Sequence, residues 1–371
     1  MKCKKSGALL LALALVFCLA ACGGSAADSG SAAGSGAPES PSSSQPESPS
    51  PAGSPSESPS ESEASESPTP EIAVDGEMIH LAFLNGPTGM GAARLLDDIM
   101  SGALRGYTFE VAPDNNQVVN LLTHGDVDIA ALATNVALNL YNKADNIQML
   151  ALNTRGVLYI LEGKGGSEIS SVADLQGKTL YAFGQGANPQ YILNELLAQS
   201  GLDEESVDLQ WATPEEVTQA LLSGEADAAM LPVPAATAAV VKGQGQVRQA
   251  VDLTSAWEDA YGSASLYMGC LVARKEFVQE NPQAVADFLD AYETSVNAVN
   301  GDPASAAPLA EHYGLAPSAA IAEKAIPACS LCFVSGSAMS EEVTPYYEAL
   351  FRADPASIGG SLPDDGFYYV P

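Results

Sequence analysis

Hydrophobic and polar positions divide the chain near residue 77. Beyond it, short apolar runs alternate with amphipathic stretches at helical spacing. Ile79–Leu84 and Thr179–Phe183 read as short strands, and each runs into a glycine-rich turn. The turns are Asn85-Gly86-Pro87-Thr88-Gly89-Met90 and Gly184-Gln185-Gly186-Ala187-Asn188-Pro189, and they lead into the predicted helices Ala92–Leu104 and Gln190–Ser200. Further along, Val118–Leu132 can be laid on Val217–Leu231. Each of these segments predicts a helix ending at glycine (Gly125, Gly224), where positive φ is needed. An acid-x-Asp turn and a buried apolar strand follow. One offset, 99 residues (85 to 184, 118 to 217), relates every pair.

Alternating β and α in each repeat predicts parallel sheets with helices on both faces. Two such units in 371 residues predict two lobes with a cleft between them. Ligands of open α/β sheets sit beyond the carboxyl ends of the strands, where both glycine-rich turns fall. Exposed backbone N–H groups and helix N-termini there suit a small anion or a polar head group. Thr88 offers a hydroxyl and Asn188 an amide, while Thr134 and Asn135 follow the first-lobe strand that ends near Leu132. The plainer reading, in which glycine and proline only tighten the turns, stays open from the residues alone. Asp128 and Asp227 share one place after a helix-ending glycine, which favours turn roles over a pair of catalytic carboxylates.

The N-terminus reads as an address. Lys2, Lys4 and Lys5 precede the apolar stretch Ala8–Ala20, as in a secretory signal. Leu19-Ala20-Ala21-Cys22 resembles the bacterial lipobox, which implies removal of residues 1–21 and lipidation of Cys22. Residues 22–77 are then a Ser/Pro/Glu-rich tether, too poor in apolar bulk to offset its ordering entropy. The chain carries 46 acids against 15 bases, a net charge of −31. That balance repels phosphate backbones and argues against nucleic acid as a partner. Past the signal, no apolar run is long enough to span a bilayer, so the lipid alone is the membrane contact.

Cys270, Cys329 and Cys332 remain after the signal and Cys22 are set aside. Cys329 and Cys332 have CxxC spacing, but no second pair exists, and His80, His124 and His312 are scattered. No metal and no cofactor are expected, and the cysteines read as buried thiols or a local disulfide.

Several stretches together resemble the nitrate/sulfonate/taurine-type substrate-binding proteins of ABC importers. These are both glycine-rich turns, Gly269–Phe277 with Asn281-Pro282, and Ser357–Asp365 with Phe367-Tyr368-Tyr369. The resemblance implies a type II periplasmic-binding fold with two parallel or mixed sheets flanked by helices and a hinge of two crossing segments. Residues 78–157 and 268–371 would form the first lobe and 158–267 the second. It implies a monomer that hands a small-molecule ligand to a permease and its ATPase. The implied ligand contacts are Asn85, Gly86, Thr88, Gly89, Met90, Thr134 and Asn135 on one side. Gly184, Gln185, Gly186, Ala187, Asn188, Pro232 and Tyr267 face them.

Two positions depart from the pattern. Val233 stands where relatives often carry glutamate, and Arg155, near the hinge, stands in place of an apolar residue. Tyr141, Tyr191, Trp211 and Tyr267 are the aromatic candidates for the cleft, though most such residues simply pack. No Walker A, GxSxG or HExxH motif argues for an enzyme. A ligand-sensing lipoprotein without transport is the main alternative, and an enzyme like that of thiamine-pyrimidine synthesis is a weaker one. Sulfonate, nitrate, bicarbonate-like anion and aminopyrimidine all remain open as ligands. The mature protein should sediment with membranes, and its intact mass should lack residues 1–21 and include acyl chains on Cys22. An unmodified Cys22 would refute the anchor.

Overall fold

The computed structural model describes residues 78–262 and 266–371. The signal, Cys22 and tether expectations lie outside the described residues, as does Ser265 on the return crossing. Among the described residues no helix is long and apolar enough to cross a membrane.

Among the described residues eleven strands form two sheets. The first holds β1 (Ile79–Leu84), β2 (Tyr107–Ala112), β3 (Ile129–Ala133), β4 (Ile147–Thr154), β10 (Gly269–Arg274) and β11 (Leu331–Ser335), in the order β11-β4-β10-β3-β1-β2. The second holds β5 (Leu158–Glu162), β6 (Thr179–Ala182), β7 (Asp208–Trp211), β8 (Ala228–Pro232) and β9 (Arg248–Asp252), in the order β7-β6-β8-β5-β9. β1, β2 and β3 pair in parallel in the first sheet, and β6, β7 and β8 in the second. Both sheets are mixed rather than parallel, because the strand that arrives from the other lobe inserts antiparallel. That strand is β10 between β3 and β4, and β5 between β8 and β9.

The repeat is visible in local chemistry. Helix Asn115–His124 is capped by Asp114, whose carboxylate accepts from Gln117 N at 3.0 Å, and it ends at Gly125 with φ 78°. Helix Pro214–Ser223 is capped by a Thr213–Glu216 box and ends at Gly224 with φ 79°. A β-carbon at that φ would be strained, which is why glycine stops both helices. Asp128 then accepts from His80 N at 2.8 Å and pairs with Arg274 at 2.6 Å. Asp227 accepts from Thr179 N at 3.1 Å and pairs with Lys164 at 2.8 Å. Both aspartates are structural, as their shared position predicts.

The lobes join closely. Met268 N donates to Thr154 O at 3.0 Å and Thr134 N donates to Met268 O at 3.1 Å, so the return crossing is stitched between β4 and the end of β3. Gly156 packs so tightly that a β-carbon would lie 2.0 Å from Thr254 Oγ1. Helix Ala338–Ala353 supplies a further tie. Tyr346 packs edge-on against Trp257 of the second lobe, while the turn after the helix is bonded to helix Thr134–Ala144 of the first. Those bonds run from Asn139 to Ala356 O (3.1 Å) and from Asn142 to Ile358 O (2.7 Å). The C-terminal helix therefore packs on both lobes, which periodicity did not reveal.

Asp128→Ala leaves the Arg274 guanidinium (side chain 24% exposed) with only Val127 O at 3.1 Å and the exposed Glu276 carboxylate at 3.8 Å, and should cost about 1–3 kcal/mol in urea unfolding. Asp227→Ala breaks a pair that is 51% and 38% exposed and should cost about 1 kcal/mol. Equal losses would contradict this reading. The Lys164 ammonium, and then the Thr179 N–H, hold the Asp227 carboxyl below its usual value. Its contribution is thus complete above about pH 4 and fades as pH falls through the depressed folded value.

Candidate functional site

The two glycine-rich turns have different interiors. Gly86 sits at φ 91°, and its carbonyl accepts from Gly89 N and Met90 N, which coils Pro87–Met90 into one helical turn. That turn rotates the following residues inward. A β-carbon on Gly89 would lie 2.2 Å from Leu84 O, and Met90 is wholly buried in the first-lobe core. Thr88 is also buried, and its carbonyl accepts from Asn153 Nδ2 at 2.9 Å. The same amide donates to the Tyr292 hydroxyl at 2.9 Å. In the second turn, Gly184 (φ 87°) lets the Pro189 ring approach, and Gly186 N donates to Gln190 Oε1 at 2.7 Å. Asn188 opens helix Asn188–Gln199, whose N-cap Ala187 has no capping side chain. Asn188 is only 6% exposed, its side chain is close to Tyr346, and neither of its amide atoms meets a hydrogen-bond partner at good geometry.

Among the described residues, a wider and a smaller opening lie between the lobes. The wider has a volume of about 850 Å³. Asn85, Gly86, Asp114 and Asn115 line it from the first lobe, and Phe183, Glu215, Thr218, Pro232, Val233, Pro234 and Lys242 from the second. Val157, Leu158 and Met268 of the crossings complete it. The lining is mainly proline and aliphatic carbon; its polar groups are the Asn85, Asn115 and Gln219 amides, the Thr218 hydroxyl, the Asp114 and Glu215 carboxylates and a single base, Lys242. The smaller opening, about 470 Å³, is lined by Asn135, Gly186 and Ala187 among others, with Tyr191 and Asp354.

The structure thus distributes the residues expected from sequence. Asn85, Gly86 and Pro232 meet at the wide cleft, and Asn135, Gly186 and Ala187 at the smaller opening. Gly184 and Gln185 line neither. Thr134 is buried: its hydroxyl donates to Tyr267 O at 2.8 Å and its carbonyl accepts from the Tyr347 hydroxyl at 3.0 Å. Tyr267 is buried as well, with its hydroxyl donating to Glu342. Burial, then Glu342, pushes its pKa well up, so it stays a neutral phenol. Arg155 is exposed, with its guanidinium 5.7 Å from the Tyr267 ring centre. Tyr141 packs on Phe367 and donates to Asp364, away from the cleft. Trp211 lies half-buried on the outer strand β7. Val233 places methyl groups in the cleft lining.

Sequence reasoning missed Phe183, Glu215, Thr218 and Lys242. The signal for Glu215 was available, since Pro214-Glu215 opens the helix equivalent to the one at Asn115. Nothing local marks Lys242. Among the described residues no group of three or more His, Cys, Asp or Glu side chains is placed to hold a metal. Cys270, Cys329 and Cys332 are free thiols, and burial pushes Cys329 and Cys332 up to about 12.

Residues 108–306 match the sequence profile of the NMT1/THI5-like family. No curated protein sequence matches the chain. Among solved structures, an ABC transporter protein from Parabacteroides distasonis superposes with a TM-score of 0.67 at 24% identity, over 79% of this chain and 98% of that one. The periplasmic aliphatic sulphonate binding protein SsuA from Escherichia coli gives 0.61 at 18% identity, over 80% and 92%. A putative periplasmic sulfonate-binding protein from Methylobacillus flagellatus gives 0.60 at 17%, over 79% and 92%. At these identities the likeness establishes the two-lobed periplasmic-binding fold.

Because the Asn188 amide is buried and unpaired, Asn188→Ala should leave the melting temperature of the ligand-free protein unchanged or higher. Asn153→Ala removes three buried hydrogen bonds and should lower stability by about 1–3 kcal/mol. Equal destabilisation by both, in scanning fluorimetry, would show that the Asn188 amide is part of the framework.

Proposed function

The chain belongs to the NMT1/THI5-like family, and from that premise we propose that it is the extracytoplasmic substrate-binding lipoprotein of an ABC importer. It captures a small solute between its lobes and delivers it to a permease driven by an ATPase. Cys22 anchors it to the membrane, and residues 22–77 hold the binding unit off the surface. One observation carries the reading: side chains of both lobes and of both crossings border a single open cleft of about 850 Å³. Motion at the crossings changes that cleft directly. A solute that contacts both lobes when they are closed, and one when they are open, shifts the protein towards closure by that difference.

The lining favours an organic solute with a polar end. A bare inorganic anion needs several convergent donors, whereas this cleft offers Asn85, Asn115 and Lys242 beside the Asp114 and Glu215 carboxylates, proline rings, Phe183 and Met268. Sulfonates with an apolar body and aminopyrimidines therefore rank above nitrate and bicarbonate. Catalysis has no part in the proposal.

Native mass spectrometry of protein purified from its source should show one small-molecule adduct, and the released compound should raise the melting temperature. Ala238→Trp, which fills the cleft from a half-buried position on helix Ala235–Lys242, should abolish both. An adduct that survives Ala238→Trp, or no adduct and no stabilisation by any of the four solute classes, would overturn the proposal.

A further inference from the structure

The two sides of the wide cleft differ in their hydrogen bonding, and the 99-residue repeat shows where. In the first lobe Asn115 opens helix Asn115–His124, and its Oδ1 accepts from Ala133 N, at the end of β3, at 2.9 Å. The second-lobe equivalents of Asn115 and Ala133 are Pro214 and Pro232, which have neither a side-chain amide nor a backbone N–H. Thr218 stands where the first lobe has Val119, and its hydroxyl donates to Pro214 O at 2.7 Å. Asn115, Pro214, Thr218 and Pro232 all line the wide cleft.

Each of these bonds uses one half of a two-sided group. A side-chain amide holds an acceptor oxygen and a donor nitrogen in one rigid plane. With Oδ1 turned to Ala133 N, the half of Asn115 left for the cleft is Nδ2, and among the described residues nothing accepts from it. A hydroxyl has a single proton, and Thr218 gives it to the helix backbone. Only the lone pairs of Oγ1 are then left for the cleft. Both side chains are half-buried, and neither group turns over without giving up its bond. The other polar groups fix no direction. Asn85 and Gln219 are exposed amides, and Lys242 is an exposed ammonium on a flexible stem. Asp114 and Glu215 only accept, one from each lobe, and they outnumber the single base.

We infer that Asn115 and Thr218 together read the polarity of the captured solute. Asn115 takes an acceptor atom of the solute from the first lobe. Thr218, with the Glu215 carboxylate three residues before it on the same helix face, takes a donor from the second. The carboxylates favour a nitrogen donor, which can carry positive charge. The inference rests on solute capture in this cleft and narrows it to organic molecules with an amino N–H group at one end and an acceptor at the other. A solute with acceptors alone is held by the first lobe and leaves Thr218 unmatched, so it gains less from closure.

Calorimetry on the full chain with two matched pairs tests it: pyrimidine against 4-aminopyrimidine, and propanesulfonate against 3-aminopropanesulfonate. Members of a pair differ by one amino group. In at least one pair the amino member should bind about tenfold more tightly than its parent. Thr218→Val keeps the side-chain shape without the lone pairs and should lower the amino member to the level of its parent, whereas Thr218→Ser should keep the preference. Asn115→Asp retains an acceptor for Ala133 N but replaces the donor with a carboxylate oxygen, and should weaken both members. Wild-type melting temperatures in these variants separate lost binding from lost fold. The proposal is overturned if neither amino compound is preferred, failure of all four to bind included. It is equally overturned if Thr218→Val keeps the preference, or if Asn115→Asp binds the amino member as tightly as the wild type. A solute adduct on protein purified from its source, alongside any of those results, would leave capture in the cleft standing and only the polarity assignment wrong.

Discussion

Asp128 and Asp227 each gather three strands that are far apart in the chain. Asp128 holds the start of β1 through His80 N, and it takes Arg274 from the end of β10, whose backbone also donates to Asp128 O. Asp227 repeats this with Thr179, with Lys164 and with the Gly163 N–H after β5. These bonds fix the far end of the crossing strand in each sheet, remote from the cleft. The carboxyl ends of the same parallel strands then fall where the glycine-rich turns and the crossings meet. Cleft geometry is thus a consequence of register, and register is set by one carboxylate per lobe.

The repeat was legible because its signals are local. A helix-stopping glycine and an aspartate three residues later act on their own neighbours, so Gly125–Asp128 and Gly224–Asp227 declare themselves in the sequence. Strand direction is not local. The apolar runs that become β5 and β10 read like any buried strand, and only the closed sheet shows them to be antiparallel. The site was legible to the level of the turns and no further. Which residues of Asn85–Met90 face the cleft depends on the coil that Gly86 starts, and that coil turns Gly89 and Met90 into the core. Tyr267 does lie at the return crossing, yet its hydroxyl is taken by Glu342, from a helix whose packing on both lobes no short pattern predicts.

Charge and cleft chemistry fit together. Among the described residues six of the twelve bases form ion pairs, such as Arg248 with Glu162. The bases left at the two openings, Lys143 and Lys242, occupy equivalent places in the two lobes. The tight joint around Gly156 and Met268 means that change in either opening is coupled to motion of the whole second lobe.

Lobe closure on a solute is the central claim, and a distance across the molecule tests it most directly. His124 and Ser223 are equivalent, exposed ends of the two capped helices. Spin labels at His124→Cys and Ser223→Cys, read by pulsed dipolar spectroscopy, report the relative position of the lobes. The account predicts that the whole distance distribution shifts and narrows when the solute released from the native protein is added back to saturation, and returns when it is removed. The same distribution with and without bound solute would show a rigid molecule and contradict the account.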